Sequence, residues 1–194
     1  MTSNLESLSE RGWKSTRCGG FTLIELMITI TLGAIVMGIG VPSYQDFVVK
    51  NRIQTQASEI RSSLAMARVE AIRRGLRVRV CPGQDGCVGA NWHDGWNSFV
   101  DRNSDNTIDP NETQLEVHIR LDGGSTLTGV NSVTFRSDGT AATARTLAGG
   151  NALSLCTADG DARHRRGIEV NVIGRVRVCG PPDPGEPLCP IACP

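Results

Sequence analysis

Four groups of residues in this 194-residue chain have the type and spacing to do chemistry. The first is arginine: Arg163, Arg165 and Arg166, with His164 among them, then Arg175 and Arg177 two positions apart. Alternation along a strand puts Arg175 and Arg177 on one face. A row of guanidinium groups can track phosphates with sequence-independent, salt-sensitive affinity. The same arginines also suit a solvated face paired to Asp159, Asp161 and Glu169, and Arg77 with Arg79 makes a comparable row. The second group is Asp101-x-Asn103-x-Asp105-Asn106-Thr107-Ile108-Asp109-x-x-Glu112, which has the ligand spacing of a calcium loop. Its sixth position is Asn106 instead of glycine and its flanks read as strands, so a turn whose side chains bond their own backbone competes with Ca2+. The third group is cysteine: Cys81, Cys87, Cys156, Cys179, Cys189 and Cys193, beyond Cys18 near the N-terminus. In an exported domain this reads as a disulfide framework, and zinc is the competing reading, weakened by the lack of a C-x-x-C pair. Cys81–Cys87, closing a short loop, and Cys156–Cys179, joining two late strands, are the favoured bridges, which leaves Cys189–Cys193 as a small terminal loop. The fourth is Glu25, the one charge between Phe21 and Val41.

No catalytic set emerges. His93, His118 and His164 stand apart, and Gly149-Gly150 is not followed by the residues of a phosphate-cradling loop. The chain is therefore read as a non-enzyme. The formal net charge is zero, so there is no global electrostatic case for nucleic acid. The basic residues are nearly all arginine, Lys14 and Lys50 being the lysines.

The elements that must position these groups follow from periodicity. Phe21 to Val41 is apolar apart from Glu25 and three threonines, and about 20 such residues cross a bilayer as a helix. Arg11, Lys14 and Arg17 precede it, which favours a cytoplasmic N-terminus. A carboxylate in hydrocarbon costs roughly 2.5–3.5 kcal/mol, so Glu25 either sits near the interface or has a partner. Pro42 predicts a kink or a local break. Residues 42–75 continue as a helix in which Ile53, Ala57, Ile60, Leu64, Ala67 and Ala71 form one stripe, with Gly75 as its C-terminal cap. From Leu76 the period becomes two. Strands are predicted at Leu76–Cys81, Trp96–Asp101, Leu115–Leu121, Ser132–Arg136, Ala152–Thr157 and Gly167–Cys179, the last broken near Gly174. Short connections imply antiparallel pairing over residues 76–180. The tail, 181–194, is rich in proline and cysteine and predicts irregular structure. The expected class is α+β, a long N-terminal helix, half membrane and half amphipathic, packed on antiparallel β-sheets.

Gly20-Phe21-Thr22-Leu23-Ile24-Glu25, behind a basic leader and ahead of an unbroken apolar run, resembles the type IV prepilin signal. The resemblance implies that residues 1–20 are removed by cleavage between Gly20 and Phe21, that Phe21 is N-methylated, and that Glu25 becomes the fifth residue of the mature chain. Glu25 would then pair with the free amine at Phe21 of a neighbouring subunit, since packing helices into a filament core desolvates both charges. Cys81-Pro82 with Asp85-Gly86-Cys87, Trp92-x-x-Gly95-Trp96-x-x-Phe99-x-Asp101-x-Asn103-x-Asp105 and Gly174-Arg175-x-Arg177 look like the GspH/FimT group of minor pilins and pseudopilins. That likeness implies a pilin fold, assembly with other pilins, a prepilin peptidase as processing partner, and an inner-membrane anchor with a periplasmic domain. In the FimT branch a Gly-Arg-x-Arg element is associated with DNA binding, which makes double-stranded DNA a candidate partner here. The expected function is that of a minor type IV pilin. The alternatives are a minor pseudopilin of type II secretion and a membrane-tethered ligand-binding module that never polymerises.

Overall fold

A computed structural model of the chain describes residues 20–84, 86, 87, 91–105, 107–142, 151–161, 163–180 and 193. The leader before Gly20, Asn106, Cys189 and all of the tail but Cys193 lie outside the described residues. The chain divides into two compact units, one ending at Ser43 and one beginning at Tyr44. A single helix, α1 (Leu23–Arg74, 52 residues), supplies most of the first and enters the second. Pro42, where the sequence predicts a kink or a local break, lies inside this helix without ending it. Proline removes one backbone donor and crowds the carbonyl four residues earlier.

In the second unit the helix carries the predicted stripe. Ile53, Ala57, Ile60, Leu64, Ala67 and Ala71 are each at most 1% exposed. Gln56 and Ser63 are buried on the same face, and each has a reason. The Gln56 side-chain amide donates to the Asp122 carbonyl at 2.9 Å, and Ser63 Oγ accepts from Trp96 Nε1 at 3.0 Å. Gly75 ends the helix in the left-handed region, with φ of 66°, as a C-terminal cap requires.

The strands form two antiparallel sheets. β1 (Arg77–Pro82), β2 (Trp96–Asp101), β3 (Gln114–His118) and β5 (Val133–Phe135) make one, in the order β3-β2-β1-β5. β4 (Thr126–Gly129), β6 (Asn151–Cys156), β7 (Arg166–Val170) and β8 (Val176–Cys179) make the other, in the order β4-β6-β7-β8. β4 has no counterpart among the predicted strands. Thr-Leu-Thr-Gly is too short to show a period, and it is held by pairing with β6 from Thr126↔Cys156 to Gly129↔Leu153. Val78, Val80, Trp96, Val100 and Phe135 of the first sheet and Leu127, Leu153, Leu155, Ile168 and Val170 of the second join the helix stripe in one core. The alternation in β1 predicts one wet face, yet only Arg77 is exposed there; Arg79 is half-buried and Cys81 fully buried.

The disulfides correct one expectation. Cys81–Cys87 is present, with Cα atoms 5.3 Å apart. Cys156 pairs with Cys193 at 5.9 Å, not with Cys179, and Cys193 is therefore not joined to Cys189. Strand order explains it. β7 lies between β6 and β8, and Cys179 stands in register with Ser154, not Cys156, so the two cysteines are more than two strand spacings, or about 9.5 Å, apart. A disulfide needs Cα atoms within about 7 Å. Cys179 is itself disulfide-bonded. Loop closure makes the tail bridge the more valuable one. A sequence separation of 37 corresponds to about 4 kcal/mol of unfolded-state entropy and a separation of 6 to about 2 kcal/mol. Denaturant titration of Cys156→Ser/Cys193→Ser should show a larger loss than Cys81→Ser/Cys87→Ser, and the reverse order would contradict this account.

Candidate assembly helix and arginine site

Thr22 caps the first turn of α1, its Oγ1 accepting the Glu25 N–H at 3.3 Å. Beyond it Leu23, Ile24, Leu26, Met27, Ile30, Val36 and Ile39 are all more than half exposed. The run is long and apolar enough to cross a membrane, and none of its most apolar window is buried. The Thr29 and Thr31 hydroxyls donate back to the Leu26 and Met27 carbonyls at 2.9 and 2.7 Å. This satisfies them internally, as an apolar surrounding demands. Phe21 is 80% exposed at the start of the run.

The arginine site is built by a turn. β7 and β8 are antiparallel neighbours, with Glu169 opposite Arg177 and Val170 opposite Val176. The connecting residues fold back through Gly174 N–H to the Asn171 carbonyl at 2.9 Å and Arg175 N–H to Asn171 Oδ1 at 2.8 Å. Ile168 and Val178 face the core, so Glu169 and Arg177 face outward. Glu169, Asn171, Arg175 and Arg177 line an open cavity of about 220 Å³. Arg68 fixes the turn from the helix. Its Nε donates to the Gly139 carbonyl at 3.0 Å and its Nη2 to the Ile173 carbonyl at 2.8 Å, which joins α1 to the ends of both sheets. Gly174 has φ of 76°, and a side chain there would run into the Gly139 carbonyl oxygen and the Arg68 guanidinium. Arg68 and Asn171 are absent from the sequence-derived site. In the sequence Arg68 is one more polar residue beside the helix stripe, and only the closeness of two distant turns gives it a role.

The other arginines are differently placed. Arg163 grips Asp161 with Nε and Nη2 at 2.9 and 2.6 Å and lies 3.7 Å from Asp46. The guanidinium holds the Asp161 carboxyl down at about 2. His164 is buried, with Nε2 2.8 Å from Asp46 Oδ1. Arg165 has a buried Nε without a hydrogen-bond partner, and Arg166 donates to the Arg165 carbonyl at 3.0 Å. Arg79 donates to Ser132 Oγ at 2.9 Å and faces Asp101 at 3.9 Å, and burial pushes its guanidinium down. Of the predicted arginines, the structure brings Arg175 and Arg177 into one cavity and engages Arg163 elsewhere.

The calcium-spaced residues bond their own loop. Asp105 Oδ1 accepts the Thr107 N–H and hydroxyl at 2.8 and 2.7 Å, which lowers its carboxyl, and Asn103 donates to Asp105 and Asp109 at 2.8 Å each. Glu112 accepts the Arg102 and Asp109 N–H groups at 2.7 and 3.3 Å. Asp101 is 1% exposed at the end of β2, opposite Arg77 and beside Arg79. Among the described residues no group of three acidic, histidine or cysteine side chains converges on a metal position.

A helix with an uncovered apolar run, joined to two antiparallel sheets, is the architecture of a pilin-like assembly subunit. Residues 56–174 match the family described as Type II transport protein GspH, and residues 15–41 match the prokaryotic N-terminal methylation motif. The chain belongs to this family of minor pilins and pseudopilins. The type IV minor pilin FimU of Pseudomonas aeruginosa has a similar fold, with TM-score 0.54 at 20% identity over 68% of this chain and 91% of that one. The minor pseudopilin EpsH from the type 2 secretion system of Vibrio cholerae matches at TM-score 0.49 and 14% identity, over 70% of this chain and 99% of that one. A fimbrial protein of Pseudomonas aeruginosa is 39% identical over 59 residues, 30% of this chain and 38% of its own length. The chain thus spans about two-fifths of the length of the curated relatives it matches.

Gly174→Ala combines left-handed strain with a steric clash, whereas Gly160, with φ of 68°, has open space around it. In urea titrations Gly160→Ala should cost about 1 kcal/mol and Gly174→Ala clearly more, about 2–3 kcal/mol. Equal losses would remove the argument that the turn is held against Gly139 and Arg68.

Proposed function

We propose that the chain is a non-enzymatic minor subunit of a type IV pilus. It is inserted with its N-terminus cytoplasmic, cleaved between Gly20 and Phe21, N-methylated at Phe21, and anchored in the inner membrane with its second unit in the periplasm. The 39% identity to a fimbrial protein favours a pilus, and the family's description as a type II transport protein favours the alternative, a pseudopilin of a secretion filament. Both readings use the same assembly chemistry: apolar helix packing, with Glu25 paired to the Phe21 amine of a neighbour. Incorporation into filaments should collapse in Glu25→Ala while the amount of membrane-bound protein stays unchanged. Normal incorporation would leave a plain membrane tether.

We further read the β7–β8 turn as a contact for the backbone of double-stranded DNA. The observation that carries this is Arg175, which lines the cavity with an exposed side chain and no ion pair among the described residues, while Arg177, Arg163 and Arg79 face the carboxylates of Glu169, Asp161 and Asp101. A guanidinium binds phosphate without reading sequence, and such binding weakens with salt. The full chain in detergent should bind a duplex at low salt and lose affinity as salt rises, and Arg175→Ala should weaken it severalfold. Binding that is absent, or indifferent to Arg175, would return the site to a solvated strand face.

A further inference from the structure

Arg175 and Arg177 share a cavity but are not equivalent. Arg177 directs Nε and Nη2 at one oxygen of Glu169, Oε2, at 2.8 and 2.7 Å. The two residues are register partners on β7 and β8, so the strands themselves hold the pair together. The Arg175 side chain is exposed and forms no ion pair among the described residues; its backbone N–H is the group that Asn171 holds. A carboxylate and a phosphodiester offer a guanidinium the same kind of paired oxygen. Glu169 Oε2 therefore sits where a phosphate bound to Arg177 would place an oxygen.

We infer that Glu169 is the specificity-determining residue of this cavity: it fills the phosphate seat at Arg177 and gives way to a polyanion already held at Arg175. The inference rests on the reading of the turn as a DNA contact. The pair is partly exposed, 46% at Arg177 and 24% at Glu169, so it is exchangeable and not locked. A single phosphate meets Glu169 as a competitor permanently held in place by the strand. A phosphate on a chain whose neighbour is bound at Arg175 arrives at high effective concentration and displaces it. Exchange of one anion for another at Arg177 releases no net counterion, because the freed carboxylate takes up a cation. Arg177 is thus silent in the salt dependence of the wild-type protein.

The test is a salt series of duplex binding by the full chain in detergent, for wild type, Glu169→Gln, Arg175→Ala, Arg177→Ala and Glu169→Gln/Arg177→Ala. Asp94→Asn is the control: it removes the same charge and likewise releases an arginine, Arg120, from a 3.0 Å pair. In Glu169→Gln the slope of log affinity against log salt should steepen by about 0.9, the increment for one more phosphate. Affinity at low salt should rise several-fold, and inorganic phosphate should displace the duplex at lower concentration than in wild type. Arg177→Ala should keep the wild-type slope, Glu169→Gln/Arg177→Ala should return to it, and Asp94→Asn should not change it. A Glu169→Gln protein with wild-type slope and affinity, while Arg175→Ala still weakens binding, overturns the role of Glu169 and leaves the DNA contact standing. An equal steepening in Asp94→Asn overturns it too, as an effect of overall charge. Absence of duplex binding in both wild type and Glu169→Gln overturns the DNA reading and this inference together.

Discussion

An apolar helix surface that is exposed along its whole length among the described residues is the constraint on which the other features depend. Every large hydrophobic side chain from Leu23 to Val41 is more than half exposed. Removing such surface from water is favoured by about 25 cal/mol per Å², and scattered exposure on a monomer is ordinary whereas a continuous run is not. That surface requires a bilayer or other helices around it. The same helix then changes its character. After Tyr44 its buried apolar residues form one stripe, which packs with the inner faces of two sheets in one core. The small side chains of that stripe, Ala57, Ala67 and Ala71, let strands approach closely, while Ile60 and Leu64 fill the space between them.

The second unit is held against its helix by polar contacts as well as by packing. Gln56, Ser63 and Arg68 each reach a distant group, the first and last through backbone carbonyls and the second through the Trp96 indole. Leaving any of those buried partners unpaired costs more than making the bond gains. Arg68 is the one with functional reach, because it ties the loop after β5 to the loop between β7 and β8. The geometry that presents Arg175 therefore depends on a residue more than a hundred positions earlier. His164 and Asp46 make a similar long link, 118 residues apart in sequence.

Charge in this chain is mostly local. Arg163 with Asp161, Arg177 with Glu169, and Arg73 and Arg74 with Glu70 are close pairs that leave little field beyond themselves. Glu70 is held at about 2 by its two arginines. A chain with equal numbers of acidic and basic groups gains affinity for a polyanion only where an arginine lacks such a partner, or where the partner can be exchanged.

Much of the architecture is legible in the amino-acid sequence by itself. The apolar run, the six-residue stripe on α1, the Gly75 cap and the break near Gly174 all follow from local periodicity and from glycine's access to positive φ. These are properties of neighbouring residues, and sequence reports them directly. What only the tertiary structure decided was pairing across the sheets. Strand order placed β7 between β6 and β8 and so kept Cys156 from Cys179, and Cys156 pairs with Cys193 instead. It made β4 a strand through its partner. It also separated two arginines that look alike in the sequence, leaving Arg175 exposed and setting Arg177 against Glu169. Such contacts depend on which distant segments the core brings within a few ångströms, and no spacing along the chain encodes that distance.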